Sequence, residues 1–227
     1  MKKTAAFISL LISLVLTTPL FVQAGSGKFE GVITFNIAIS GPNLTAEQTA
    51  MFPKTMTLTV KGSDSRNEAV SAMGTMGEIT NYSKKFTVTL IGMMGKKFAI
   101  KKTLDEITKD QGNDPKTVVQ MTGETKDVAG YKCKKAVITI DNNGKKTTID
   151  VWFTDELGGK ELNWGNATYR DIEGMLMEYT LTEQGMTMKY SAASVEKKAV
   201  NDSEFEIPAD YKLTTEAELR SMFGGGM

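Results

Sequence analysis

Residues 175–190 read Met-Leu-Met-Glu-Tyr-Thr-Leu-Thr-Glu-Gln-Gly-Met-Thr-Met-Lys-Tyr, and this stretch decides the fold. Met175, Met177, Tyr179 and Leu181 alternate with Leu176, Glu178 and Thr180; past Glu183-Gln184-Gly185, Met186, Met188 and Tyr190 alternate with Thr187, Lys189 and Ser191. Successive side chains of a strand point to opposite faces, so a period of two sets an apolar face against a mostly polar one. Gly185 tolerates the positive φ that a tight reversal needs. The stretch therefore predicts two strands joined as a hairpin. Working outward, Ile33, Phe35, Ile37 and Ile39 alternate with Thr34, Asn36, Ala38 and Ser40, and the same period holds at Met56–Val60, Phe86–Leu90 and Ile149–Phe153. Asn142-Asn143-Gly144 separates Ala136–Ile140 from Thr147–Thr154 with turn chemistry of the same kind. Sequential hairpins build a meander, and a meander of many strands curls. The expected fold is mainly β: a curved antiparallel sheet forming an open (half) β-barrel with a few short helices.

Helix signals are sparse. Thr45 to Phe52 predicts a short helix stopped by Pro53, and Leu104 and Ile107 have helical spacing within Lys101–Lys109. Thr215-Glu216-Ala217-Glu218 fits a capping box, with Leu219 and Met222 on one face. Residues 62–82 and 93–116 show no clear period.

Met-Lys-Lys, the apolar run from Thr4 to Phe21, and Val22-Gln23-Ala24-Gly25 have the layout of a Sec signal peptide cleaved after Ala24. The dense apolar part, Ala5 to Leu16, is shorter than the roughly 20 residues of a spanning helix, and Thr17, Thr18 and Pro19 interrupt it. No Cys follows the cleavage site, so lipid modification is not expected. Residues 1–24 are thus read as a signal peptide and 25–227 as one β-rich domain, periplasmic or secreted, without a transmembrane anchor.

The chain holds 27 basic and 27 acidic residues, and loss of Lys2 and Lys3 leaves a net charge of −2. A nearly neutral domain lacks the electrostatic footprint of a nucleic-acid binder. The single cysteine, Cys133, cannot form an internal disulfide; it reads as a half-buried thiol or as a link between chains. With no histidine present, Ser-His-Asp and Cys-His catalysis and His-based metal sites are excluded. No cofactor or metal is expected. Gly92–Lys96 lacks phosphate-loop spacing, and Asp141-Asn142-Asn143-Gly144 reads as a turn rather than a calcium loop. Asp155 with Glu156, or Asp171 with Glu173, are the available carboxylate pairs for glycoside hydrolysis, but both lie near turns. Ser194-Val195-Glu196-Lys197 matches a Ser-x-x-Lys spacing inside a strand-like run. The expectation is a protein that is not an enzyme.

Fourteen methionines stand against 10 Phe and 2 Trp. Methionine adapts to irregular gaps, so these residues read either as core filler or as the lining of a cavity that repacks around apolar ligands.

Met175–Leu181, the Gly185 turn, Met186–Ala192, Val195 and Phe205-Glu206-Ile207-Pro208-Ala209-Asp210-Tyr211 resemble the end of the lipoprotein-carrier (LolA/LolB-like) superfamily, where a strand ending in Phe-x-x-Pro closes the domain. Gly123–Cys133, followed by Val151-Trp152-Phe153-Thr154, is similar to a family of exported domains of unknown function thought to share the same half-barrel. The matches cover about half of the mature chain. The resemblance implies a sheet wrapped around helices, with an apolar concave face that holds acyl chains. The sequence departs from the carriers in entering a strand at Phe29 instead of an amphipathic helix. Arg66 lies near the position of a conformational arginine in the carriers; by its own context it reads as a surface residue on a short strand.

Together these readings give an exported envelope binding protein that holds a lipid or lipoprotein acyl chain on the concave face. The expected apolar lining is Phe35, Ile37, Phe153, Met175, Met177, Met186 and Met188. The alternative is an interaction module for an envelope protein partner with a packed core, recognising through lysine-rich loops or Trp164-Gly165-Asn166.

Overall fold

The computed structural model describes residues 29–42, 44–111, 114–142, 144–183 and 185–223. The expected signal peptide lies outside these residues. Twelve strands form one sheet: β1 (Glu30–Ser40), β2 (Thr55–Lys61), β3 (Asp64–Ser71), β4 (Gly74–Asn81), β5 (Phe86–Met93), β6 (Lys96–Thr103), β7 (Lys116–Val128), β8 (Tyr131–Asn142), β9 (Lys145–Thr154), β10 (Met175–Glu183), β11 (Met186–Lys197) and β12 (Lys212–Thr214). Their spatial order is β12-β6-β5-β4-β3-β2-β1-β11-β10-β9-β8-β7.

The topology is two meanders joined at one seam. Strands β1–β6 run in sequence on one side and β7–β11 on the other, and β1 pairs antiparallel with β11 between them. The register there couples Ile37 to Tyr190 and Ile39 to Met188. The sheet is curved and does not close on itself; β7 and β12 remain its edges. All pairings are antiparallel except that of β12 with β6.

Three short helices occur: α1 (Ala46–Met51), α2 (Leu104–Gln111) and α3 (Glu216–Phe223). The Thr45 hydroxyl accepts from the Gln48 N–H at 3.2 Å and the Gln48 side chain accepts from the Thr45 N–H at 2.9 Å, a reciprocal cap. Thr215 and Glu218 repeat this at α3. The segment 101–103, expected to be helical, instead completes β6, because Phe98, Ala99 and Ile100 are buried in the sheet and carry the pairing to Thr103. Residues 62–82 and 93–116, irregular by period, hold β3, β4, β6 and α2.

Both faces of the sheet are covered in part. On the outer face, Ile79, Val88, Leu90 and Ala99 pack with Val200 and Phe205 of the segment that follows β11. On the inner face, Tyr169 and Ile172 of the β9–β10 connection pack with Ala136, Ile138, Val151 and Phe153. That connection, residues 155–174, crosses the interior toward β4 and β5: a Cβ at Gly165 would lie 3.3 Å from Thr87 Cγ2 and 3.6 Å from a Glu78 carboxylate oxygen.

A candidate ligand cavity on the concave face

The inner face encloses a cavity of about 640 Å³, within the range of about 300–1,000 Å³ usual for small-molecule sites. Its wall is not uniform. Strands β1, β2, β10 and β11 contribute Phe35, Met56, Leu58, Leu176, Tyr179, Leu181, Met186, Met188 and Tyr190. Tyr179 stacks on Tyr190 with centroids 4.8 Å apart and meets Phe35 edge-on at 5.9 Å, so this side is a rigid aromatic and thioether surface. Burial pushes the Tyr179 phenol well above its ordinary pKa, with the charges of Tyr190, Tyr169 and Glu78 adding to it.

The mouth lies at the hairpin tips. Met73 and Met76, on the β3–β4 hairpin, line the cavity and are exposed at 49% and 63%. Met93, Ile91, Phe52 and Pro53 complete an apolar rim. Gly74 makes this rim compact: at φ +137° its backbone lies so near Gly92 that a Cβ would stand 1.9 Å from the Gly92 carbonyl oxygen.

At the opposite end the wall of β3–β5 turns polar. Ser65, Asn67, Glu78, Thr80 and Thr89 face inward, and Asn163 and Asn166 close the floor. Register explains the band: Asn67 pairs with Glu78, Glu78 with Thr89, and Ser65 with Thr80, all on one face. The floor is built by the β9–β10 connection. Asn163 donates from Nδ2 to the carbonyls of Ile172 and Gly174 at 3.0 and 2.8 Å. Asn166 Oδ1 accepts from the N–H groups of Thr168 and Tyr169 at 3.0 and 3.2 Å. The Tyr169 hydroxyl donates to the Thr180 carbonyl and accepts from its N–H at 3.2 Å, which fixes the connection to β10.

Glu78 is the ionisable member of this band. It is half-buried and, like the side chains of Ser65, Asn67, Thr80 and Thr89, makes no hydrogen bond to a described residue. Burial raises its pKa above the ordinary carboxylate value, and Lys102 offsets this only in part. Lys102 is itself held between Asp110 at 3.0 Å and Glu216 at 2.7 Å, so its charge is already matched.

Of the residues expected to line a ligand, Phe35, Met175, Met186 and Met188 line the cavity. Ile37, Phe153 and Met177 do not. Ile37 and Phe153 are packed into the core clusters, and Met177 sits at a bulge between Leu176 and Glu178 that breaks the strand's alternation. Met177 is fully buried in the cluster that also holds Val128 and Cys133. Met73, Met76 and Met93 take the lining role that the methionine content offered, whereas the polar band has no apolar alternation to mark it, since its strands present Ser, Asn, Glu and Thr inward.

The other candidates lie apart. Asp155 is bound to Lys134 at 2.6 Å, Glu173 to Lys160 at 3.3 Å, and Asp155, Glu156, Asp171 and Glu173 are all exposed outside the cavity lining. Ser194 to Lys197 end β11. Arg66 pairs with Glu68 at 2.8 Å and with Glu204 at 3.6 Å, on the face opposite the cavity. Trp164 is half-buried, its ring edge-on to Tyr82 at 5.8 Å with Lys85 beside both rings. Cys133 is fully buried in the folded chain, which removes the half-buried thiol and the link between chains expected of it.

Residues 96–163 match the model of a family described as N-glycanase peptide, N-terminal domain. The match covers under a third of the chain and runs from β6 into the β9–β10 connection. No curated protein sequence matches the chain. Among solved structures, LprF from Mycobacterium bovis is similar over 81% of this chain and 90% of its own, with a TM-score of 0.34 and 12% identity.

Proposed function

We propose that this protein is an exported envelope protein whose work is binding, and that it holds an apolar ligand, a lipid or an acyl chain, in the concave cavity. The observation that carries the reading is the open, methionine-rimmed cavity with one side of Phe, Met, Leu and Tyr. Thioethers repack at little cost, which suits a site that admits chains of differing shape. Burying about twelve methylenes gains roughly 10 kcal/mol gross at about 0.8 kcal/mol each. Association costs about 4–15 kcal/mol, so one chain is held weakly enough to be released. Export rests on the N-terminal layout, and no described helix is long and apolar enough to cross a membrane.

The test is native mass spectrometry with lipid extraction on protein purified from its own envelope. Near-stoichiometric lipid, lost in Met188→Lys and kept in Met94→Lys, supports the reading; Met94 is 85% exposed and does not line the cavity. Lipid-free protein that also shows no thermal shift with added envelope lipid would overturn it. The same spectra report the mass expected for cleavage after Ala24.

A further inference from the structure

The cavity is polarised along its length: apolar where Met73 and Met76 meet solvent, polar where Ser65, Thr80 and Asn163 are buried. A site built only for an acyl chain would have the reverse order, with the driest wall deepest. At this end the half-buried Glu78 carboxylate accepts no hydrogen bond from a described residue, which leaves it to accept one from a ligand. Its cross-strand neighbours are an amide and a hydroxyl, Asn67 and Thr89, and Lys102, the cation whose charge acts on it, is already matched by two carboxylates. This combination suits a head that donates hydrogen bonds. An anionic head would meet the Glu78 charge without a cation to offset it. A cationic head would find one carboxylate among neutral groups and no aromatic cage, since the stacked tyrosines belong to the opposite wall.

We propose that the ligand is a single-chain amphiphile with an uncharged, hydroxyl-bearing head, that it enters head first, and that Glu78 receives the head at the closed end while the chain runs out past the methionine rim. This deepens the proposed binding function and rests on it. Head-first entry puts the chain terminus, not the head, at the mouth. It follows that the ligand is a free amphiphile or is presented by its tail, and is not an acyl chain tethered to a polypeptide by its head.

The experiment measures affinity for three amphiphiles with the same dodecyl-length chain: monododecanoylglycerol, dodecanoate and dodecylammonium. Wild type should bind the glycerol ester at least about tenfold more tightly than dodecanoate, the factor expected for one hydrogen bond to a charged acceptor. Glu78→Gln, close to isosteric, should shrink that ratio about tenfold, chiefly by admitting dodecanoate. An unchanged ratio in folded Glu78→Gln would remove Glu78 from head recognition, and tightest binding of dodecylammonium would overturn the uncharged head. Failure of all three to bind would instead count against the apolar-ligand reading itself. Orientation is read from Trp164, which adjoins Gly165 at the floor, in a Trp152→Phe background. A glycerol ester brominated at the chain terminus should leave Trp164 fluorescence unquenched, and strong quenching would show tail-first entry.

Discussion

The desolvation of a single carboxylate ties the stability of the fold to pH. Glu78 holds its proton more tightly folded than unfolded, because burial disfavours its charge. At low pH both states are protonated and no penalty exists. As pH rises through the ordinary carboxylate range the unfolded chain releases the proton first, so stability falls until the raised folded value is passed. Glu78→Gln should therefore match wild type near about pH 4 and gain on it in melting temperature as pH rises toward about pH 8; thermal unfolding across that range checks it. Tyr169→Phe belongs to the same scale. It strips the Thr180 N–H and carbonyl of their partner and should cost about 1–3 kcal/mol in urea unfolding. Cys133 provides a passive control: burial pushes its thiol up to about 11, so aromatic disulfide reagents should label it only after denaturant is added.

At the scale of elements, the hairpin carrying the rim is the one most exposed to backbone error. Gly74→Val would drive a side chain into the Gly92 carbonyl at a φ that L-residues rarely adopt, and should lower stability by about 2 kcal/mol or more while distorting the mouth; ligand affinity and melting temperature measured together check both effects. These elements were also the least legible ones. Strands β1, β5, β9, β10 and β11 declare themselves because one face is apolar throughout, and α1 and α3 because their capping pairs are local in sequence. Strands β3 and β4 face a polar cavity wall, so Ser65, Asn67, Glu78 and Thr80 stand where apolar residues would have marked the inward face. The bulge at Met177 misled in the other direction: a regular period put its side chain with Met175, whereas the ladder shifts between Leu176 and Glu178. The curved open sheet could be read from the sequence; the chemistry of its closed end needed the register of neighbouring strands.

At the scale of the molecule, the cavity belongs to neither meander alone. Its apolar side takes Phe35 and Met56 from one half and Tyr179 and Met188 from the other, across the β1–β11 seam. Each meander is made of contacts local in sequence, but the seam joins Gly31 to Lys197. Long-range pairings must overcome the entropy of closing the loop between them before any contact repays it, and so they form slowly. Strand signal by far-ultraviolet circular dichroism should then return during refolding before apolar-ligand binding does. Until the seam forms, β1 and β11 each present an unpaired edge with Phe35, Ile37 and Tyr190 along it. During synthesis β1 waits for β11 while residues 41–185 emerge, and the hazard of that interval is association with a neighbouring copy. A fold of this topology depends on timing as well as on shape, and a holdase that shields β1 would raise its yield without altering the finished cavity.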